Sequence, residues 1–443
     1  MKIRGLLIAT IVFAALAGVL YWSDHHKPSA EAAKPDADAA PSILKLDENS
    51  ITKVELKKKD AAPIVLTRSG SDWKITEPKS LGADQTAVSG MLSTLSSLNS
   101  DRLLEDKGAD LKRYGLASPA LEVDVAEKNN KTQRLMLGDE TPTGSAVYAA
   151  LAGDPRVFTV ASYHKTSLDK SLNDLRDKRL LTVNPDKVSR LEISGKNGAI
   201  EFGRNKDDWQ IVKPKPMRAD TFAVSGLVTK LTEARMDFSG PDASTKDADS
   251  AFAKGTPVAT VKLTDESSTQ QLQLRKDKDN YYAKSSVVDG AYKVNSDLGD
   301  AVNKKVDDFR NKKLFDFGYA DPYKVEIHSG SKNYWLIRGG QDWWDNGKKM
   351  DEDSVRTVVS DLRDLSADKF VDSGFTSPAI ETTVTSQDGK RVEKVQISKS
   401  GSSYTAKREG DPTLYQLTSS SVDDLQKALD GIKPAAPASK TAK

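Results

Sequence analysis

Enzymatic chemistry at neutral pH draws on nucleophiles, acid–base groups and metal ligands, and this 443-residue sequence is short of the commonest ones. It has no cysteine, which removes thiol nucleophiles, disulfides, iron–sulfur clusters and thiolate zinc sites together. Of its four histidines, His25 and His26 stand side by side in a polar Ala/Pro/Lys stretch that offers no third ligand. His164 follows an apolar strand pattern and His328 ends one. Pairing either with a Ser and an Asp requires proximity in space that spacing does not give, so a strand-end position is the simpler reading.

Acidic clusters invite a cation. Asp242 to Asp249 (DASTKDAD) and Met350 to Asp353 (MDED) both lack the calcium-loop spacing with its central Gly and terminal Glu. The first reads as a solvated loop and the second as a helix N-terminus, where carboxylates offset the dipole. No Gly-x-x-x-x-Gly-Lys-Ser/Thr, Gly-x-Gly-x-x-Gly or Gly-x-Ser-x-Gly motif occurs. A net charge of +2, from 66 Lys plus Arg against 64 Asp plus Glu, is too small to neutralise a nucleic-acid backbone. The residue types therefore predict a protein without cofactor, metal, nucleotide or nucleic acid, and not an enzyme.

The elements that carry these residues come in three copies. Val54-Glu55-Leu56, Leu191-Glu192-Ile193 and Val325-Glu326-Ile327 each open a strand pattern. A second apolar strand and an Asp-Trp pair follow: Asp72-Trp73, Asp208-Trp209 and Asp342-Trp343. The tryptophans lie about 135 residues apart, a domain's length. Asp84, Asp220 and Asp351 then cap amphipathic stretches; in the first, Val88, Met91, Leu92, Leu95 and Leu98 keep helical spacing. A Pro-led strand opens the second half of each copy at Pro119, Pro257 and Pro378, more alternating strands follow, and a helix closes the copy.

Copies one and two end in a basic coda, Leu175-Arg176-Asp177-Lys178-Arg179-Leu180 and Phe309-Arg310-Asn311-Lys312-Lys313-Leu314, which copy three lacks. The coda is either part of the junction between copies or a solvated helix C-terminus whose cations face the dipole. Strands segregated from helices give an α+β fold of three tandem homologous units, largely antiparallel sheet with packed helices. The expected units cover residues 43–182, 183–317 and 318–432, with a disordered tail over 433–443.

Residues shared by all copies serve the fold, so the Asp-Trp tryptophans are expected in cores. Specific function belongs where one copy departs, and copy three adds Tyr334, Trp335 and Trp344. Strand alternation puts Tyr334 and Leu336 on one side, Trp335 and Ile337 on the other. Two apolar faces mean a strand covered on both sides, which is what large aromatics usually indicate, or an exposed patch suited to a protein partner or a sugar ring. On the second reading Tyr334, Trp335 and Trp344 are the binding residues.

Gly5 to Trp22 is an uncharged run of 18 residues, with Lys2 and Arg4 before it. As a helix it spans roughly 27 Å, enough to cross a bilayer core with its basic end in the cytoplasm. An uncleaved transmembrane anchor over residues 1–22 is preferred, while Ala15-Leu16-Ala17 keeps a cleaved signal peptide open. Residues 23–42 read as a disordered tether. Either reading exports the remainder of the chain.

Tyr114-Gly115-Leu116, Pro119, Leu137-Gly138, Val147-Tyr148, Val157-Phe158 and the coda through Leu180 resemble the domain of unknown function 4340 family. The resemblance covers the export segment and most of residues 45–432, and is strongest in copy one. Copy two has Ala253-Lys254-Gly255 in place of Tyr-Gly-Leu, and copy three keeps Gly374-Phe375. The resemblance implies a membrane-anchored bacterial protein; with the export segment, the expectation is a single pass of the inner (cytoplasmic) membrane and a periplasmic or extracytoplasmic bulk. Some members are encoded beside ABC-type transporter components related to gliding motility. No activity is established for the family, so no residue roles carry over.

The resulting expectation is an exported, membrane-tethered accessory or scaffold protein that works by protein–protein contact, with an ABC-type transport assembly as the implied partner. Two alternatives stand beside it. One is a cell-wall or polysaccharide-binding module using the copy-three aromatics. The other is an exported hydrolase, which requires a pocket with convergent carboxylates or a Ser/His pair.

Overall fold

The computed structural model describes residues 42–107, 110–239 and 245–436. The expected anchor over 1–22 and nearly all of the tether over 23–42 lie outside the described residues. Among those described, no helix is long and apolar enough to cross a membrane.

Alternation builds the strands. In Leu121–Glu127 (LEVDVAE), Leu121, Val123 and Val125 are buried while Glu122 and Asp124 face outward. The first sheet comprises β1 Ile51–Lys58, β2 Ile64–Ser69, β3 Asp72–Glu77, β4 Leu81–Gly82, β5 Arg102–Glu105, β6 Leu121–Glu127, β7 Thr132–Glu140, β8 Ala146–Leu151 and β9 Val157–Ala161. Its order is β4-β3-β2-β1-β6-β7-β8-β9-β5, with every pair antiparallel. Two four-stranded meanders thus meet through β1 and β6, and each is followed by a helix. The Gln85–Ser96 helix packs on Ser162–Leu168. Val88, Met91, Leu92 and Leu95 join Leu56, Leu66, Val123 and Leu137 in one core.

The second and third sheets repeat this order about the central pairs Arg190–Gly195 with Thr256–Thr264 and Lys324–Ser329 with Pro378–Thr385. The second has eight strands rather than nine, because its counterpart of β5 shrinks to a single bridge, Asp237 to Lys293. The molecule is α+β, mostly β, with three antiparallel sheets. It divides at Asp177/Lys178 into two compact units, the second holding sheets two and three.

The Asp-Trp pairs occupy one place in all three sheets. Each follows a two-residue loop whose first residue is left-handed: Gly70 (φ 65°), Lys206 (φ 58°) and Gly340 (φ 67°). Trp73, Trp209 and Trp343 are buried at 6%, 3% and 3% exposure, as expected of core residues. Each sits directly opposite an arginine, Arg68, Arg204 or Arg338. These arginines tie the turn before the first strand to the sheet. Arg68 donates to the Asn49 carbonyl at 3.2 Å, Arg204 to the Asp186 carbonyl at 2.9 Å, and Arg338 lies 3.8 Å from the Asp321 carboxylate. The three helix caps hold as expected, Asp84, Asp220 and Asp351 each accepting first-turn backbone N–H groups.

The coda is extended and paired, which favours the junction over a solvated helix end. In the first unit Arg176 bridges Ala83, and the Asp177 N–H donates to the Gly82 carbonyl at 2.8 Å. In the second unit Arg179 bridges Arg235, Arg310 bridges Ala219, and Lys313 bridges Ser366. Each sheet therefore has a strap on either side of its first helix. Ser42 to Asn99 supplies the incoming strap of the first sheet and Pro434 to Met350 the outgoing strap of the third. Lys433 to Ala435, expected in the disordered tail, are thus held by backbone bonds to Lys349 and Asp351.

Candidate functional site

Outside the helix-covered cores, each sheet has a second face. In the first unit Leu116, Tyr114 and Leu111 cover the outer side of β7 and β8. Two glycines permit this close approach. Gly115 has φ 67°, and a Cβ there would sit 2.4 Å from the Asp139 Cγ; a Cβ on Gly138 would sit 2.2 Å from the Tyr114 carbonyl. Tyr114 donates to the Glu105 carboxylate and meets Tyr148 edge-on at 4.9 Å. The Tyr-Gly-Leu and Leu-Gly motifs are accordingly packing devices. In the second sheet a helix, Thr245–Lys254, does the covering through Ala248 and Phe252. This corrects the loop expected over the second half of DASTKDAD: Asp249 is helical, accepts from the Ala291 N–H at 2.9 Å and pairs with Lys284 at 3.3 Å.

Among the described residues, no such cover lies on the outer side of the first meanders, and there the copies differ. Three register positions can be compared directly. The shared glutamates Glu55, Glu192 and Glu326 pair with Val65, Glu201 and Trp335. The cations Lys53, Arg190 and Lys324 pair with Thr67, Gly203 and Ile337. These last pair in turn with Lys74, Gln210 and Trp344. In the first sheet the region is an ion-pair ladder, with Lys57 bridging Glu55 at 3.2 Å and Asp124 at 2.8 Å. Burial raises the Asp124 pKa, but Arg134 and Lys57 outweigh it and hold the carboxyl below its usual range. In the second sheet Glu201 bonds Lys213 at 2.8 Å and Arg190 at 3.0 Å, and the Lys213 bond leads in lowering its pKa.

In the third sheet those three positions are apolar: Trp335 is 37%, Ile337 39% and Trp344 39% exposed. Trp344 lies over Gly339, where a Cβ would be 3.3 Å from its Nε1. The Trp335 N–H donates to the Asp345 carboxylate at 2.9 Å, and its ring meets His328 edge-on at 5.6 Å. His328 Nδ1 lies 2.6 Å from Asn333 Oδ1. In the same row Gln396 donates to Glu381 at 2.8 Å, the leading cause of the lowered Glu381 pKa, with Lys394 and His328 adding to it.

Of the three residues singled out from sequence, Trp335 and Trp344 are thus brought together on an open face, not within a core as their size first suggests. Tyr334 is on the other side: half-buried against the core, it donates to the Leu429 carbonyl at 3.2 Å. Sequence reasoning missed Ile337 as the bridge between the two tryptophans, although alternation already placed it with Trp335.

Among the described residues, the remaining chemistry-bearing side chains do not converge. His164 lies in the Ser162–Leu168 helix of the first unit, half-buried, its Nδ1 without a hydrogen-bond partner; His328 belongs to the second unit. Among the described residues, no three His, Asp or Glu side chains are placed to share a metal ion. A groove of about 400 Å³ on the second sheet is lined by Ser194, Lys196, Thr260, Gln273 and Arg275 with apolar neighbours, and neither a carboxylate nor a histidine lines it.

No curated protein matches the chain. A family profile described as a domain of unknown function (DUF4340) matches twice, over residues 73–210 and 209–380. Each match starts at an Asp-Trp tryptophan and runs into the next copy, so the family's repeat is the one read here in a different phase. With two successive matches across most of its length, the chain belongs to the DUF4340 family.

Proposed function

We propose that the protein is an exported accessory or scaffold component, anchored by its N-terminal apolar segment, that binds a protein partner in the same membrane through the outer face of its third sheet. One observation carries this reading. At three register-equivalent positions, the Val65/Thr67/Lys74 and Glu201/Gly203/Gln210 sets give way to exposed Trp335, Ile337 and Trp344. Exposed tryptophans beside an aliphatic residue are the usual anchors of an interface, and desolvating them is the main source of its energy. The apolar run Gly5 to Trp22 supports the anchor, and the family resemblance supports an ABC-type assembly as the partner.

A photo-crosslinking residue placed at Trp344, and separately at the equivalent Lys74, tests the reading in intact membranes. Adducts to one membrane protein from position 344 alone are expected; equal adducts from both positions, or none from 344, would refute it. The row Asn333, His328, Glu381 and Gln396 beside Trp335 supports a second reading, a polysaccharide held by stacking and hydroxyl contacts. Trp335→Ala and Trp344→Ala then reduce sedimentation with purified wall material, and indifference of both variants removes it.

A further inference from the structure

Within the second unit, sheets two and three meet across a polar joint that the repeat pattern does not require. Arg218 ends the edge strand Met217–Arg218 of the second sheet. Its guanidinium donates to the Lys313 carbonyl at 2.8 Å and to the Tyr415 hydroxyl at 3.2 Å, and pairs with Asp316. The Tyr415 hydroxyl donates onward to Asp411 at 2.7 Å. Asp316 is shared with Arg408, which bonds Glu393 at 2.8 Å. Beside this chain Arg310 lies 3.5 Å over the Phe370 ring and donates to Thr413 at 3.2 Å.

These groups are largely out of water. Tyr415 is 1% exposed. Burial leads in pushing its hydroxyl up to about 12, so it stays a neutral donor at any physiological pH. A network of this kind adds little net stability compared with apolar packing, because desolvation offsets the attraction. What it does well is fix geometry: Arg218 has its partners in one relative placement of the sheets and is left largely buried and alone in others. Arg218 is also particular to this joint, since Gly82 and Lys349 occupy its register position in the first and third sheets.

We propose that Arg218 is the key of a latch that sets the angle between sheets two and three, so that the second unit moves as one rigid body and holds the Trp335–Trp344 face in a fixed direction. The latch stands whatever that face binds. Absence of native cysteine allows clean spin labelling of the full chain at Asp279→Cys and Gln387→Cys, on exposed hairpin turns of the two sheets. Double electron–electron resonance should give one narrow distance distribution. Arg218→Ala should roughly double its width, because the second sheet then loses the cation that Asp316, Tyr415 and the Lys313 carbonyl hold in one placement. Tyr415→Phe, which keeps the ring and removes only the hydroxyl relay, should broaden it less, and Arg190→Ala, in the same register row but three strands away from Arg218, should not. Unchanged distributions in both Arg218→Ala and Tyr415→Phe overturn the latch, as does a broad distribution in the parent; if Arg218→Ala does not fold, Tyr415→Phe decides alone.

Discussion

At the residue scale, the same amino acid has opposite consequences on the two faces of a strand. Trp343 and Trp344 are neighbours, yet one is 3% and the other 39% exposed. Trp343→Ala should cost about 3–5 kcal/mol by opening a core cavity, whereas Trp344→Ala should cost under about 0.5 kcal/mol while abolishing the partner contact proposed above. Urea unfolding of both variants checks the contrast, and a large loss at Trp344 would mean that it packs internally after all. Period-two alternation made the split between Tyr334 and Trp335 legible in the sequence. Which face stays open was not legible, because it depends on distant segments that cover the other outer surfaces. His164 gives a pH prediction. Burial leads in lowering its pKa from the ordinary 6.5, only partly opposed by Asp101. The unfolded chain therefore takes up its proton first as pH falls. Stability should be intact above 6.5 and decline as pH drops from there toward the folded value. Urea midpoints of the first unit's transition between about pH 8 and 5 should show this slope, and His164→Gln should flatten it. A slope unaltered by the substitution would assign it to other groups.

At the element scale, strands and capped helices follow from local chemistry, whereas covers and ties follow from tertiary need. The Thr245–Lys254 helix escaped the sequence reading because it buries few apolar side chains, chiefly Ala248 and Phe252, among Lys and Asp. The arginines opposite the buried tryptophans escaped for another reason. A cation in a strand reads as solvent-facing until its carbonyl partner, distant in sequence, is known. Glycines separate the two kinds of constraint. Gly138→Ala drives a Cβ into the Tyr114 backbone carbonyl and should cost about 1–3 kcal/mol, as overpacking does. Gly90, in the Gln85–Ser96 helix, has nothing within 4 Å of its would-be Cβ. Gly90→Ala should therefore stabilise by about 0.5–1 kcal/mol through helix propensity. Thermal melts of the two variants should move in opposite directions; a neutral Gly138→Ala would show that the Tyr-Gly-Leu turn lifts from its strand at little cost.

At the scale of the whole molecule, the triplication was legible from a single dipeptide, since Asp-Trp marks a loop, a core residue and a strand edge together. The straps were not, because one extended residue paired on each side of a helix leaves no periodicity to read. Their consequence is clearest at the third sheet. Pro434 bridges Met350, the Asp351 N–H donates to the Lys433 carbonyl at 2.9 Å, and the Ala435 N–H donates to the Lys349 carbonyl at 3.0 Å. Residues 433–435 thus do for the third sheet what Arg310 and Asn311 do for the second, without the coda's arginine. A chain ending at Ile432 forfeits two backbone hydrogen bonds beside the Asp351 cap, at a net of about 0.5–1.5 kcal/mol each, and should be less stable by about 1–3 kcal/mol. A chain ending at Ala436 keeps both bonds and should melt with the full-length protein. Because the straps belong to their own sheets, the loss should appear in the unfolding of the second unit and leave the transition of the first unit in place. Equal midpoints for the two truncations would mean that the outgoing strap merely follows the sheet edge and does not hold it.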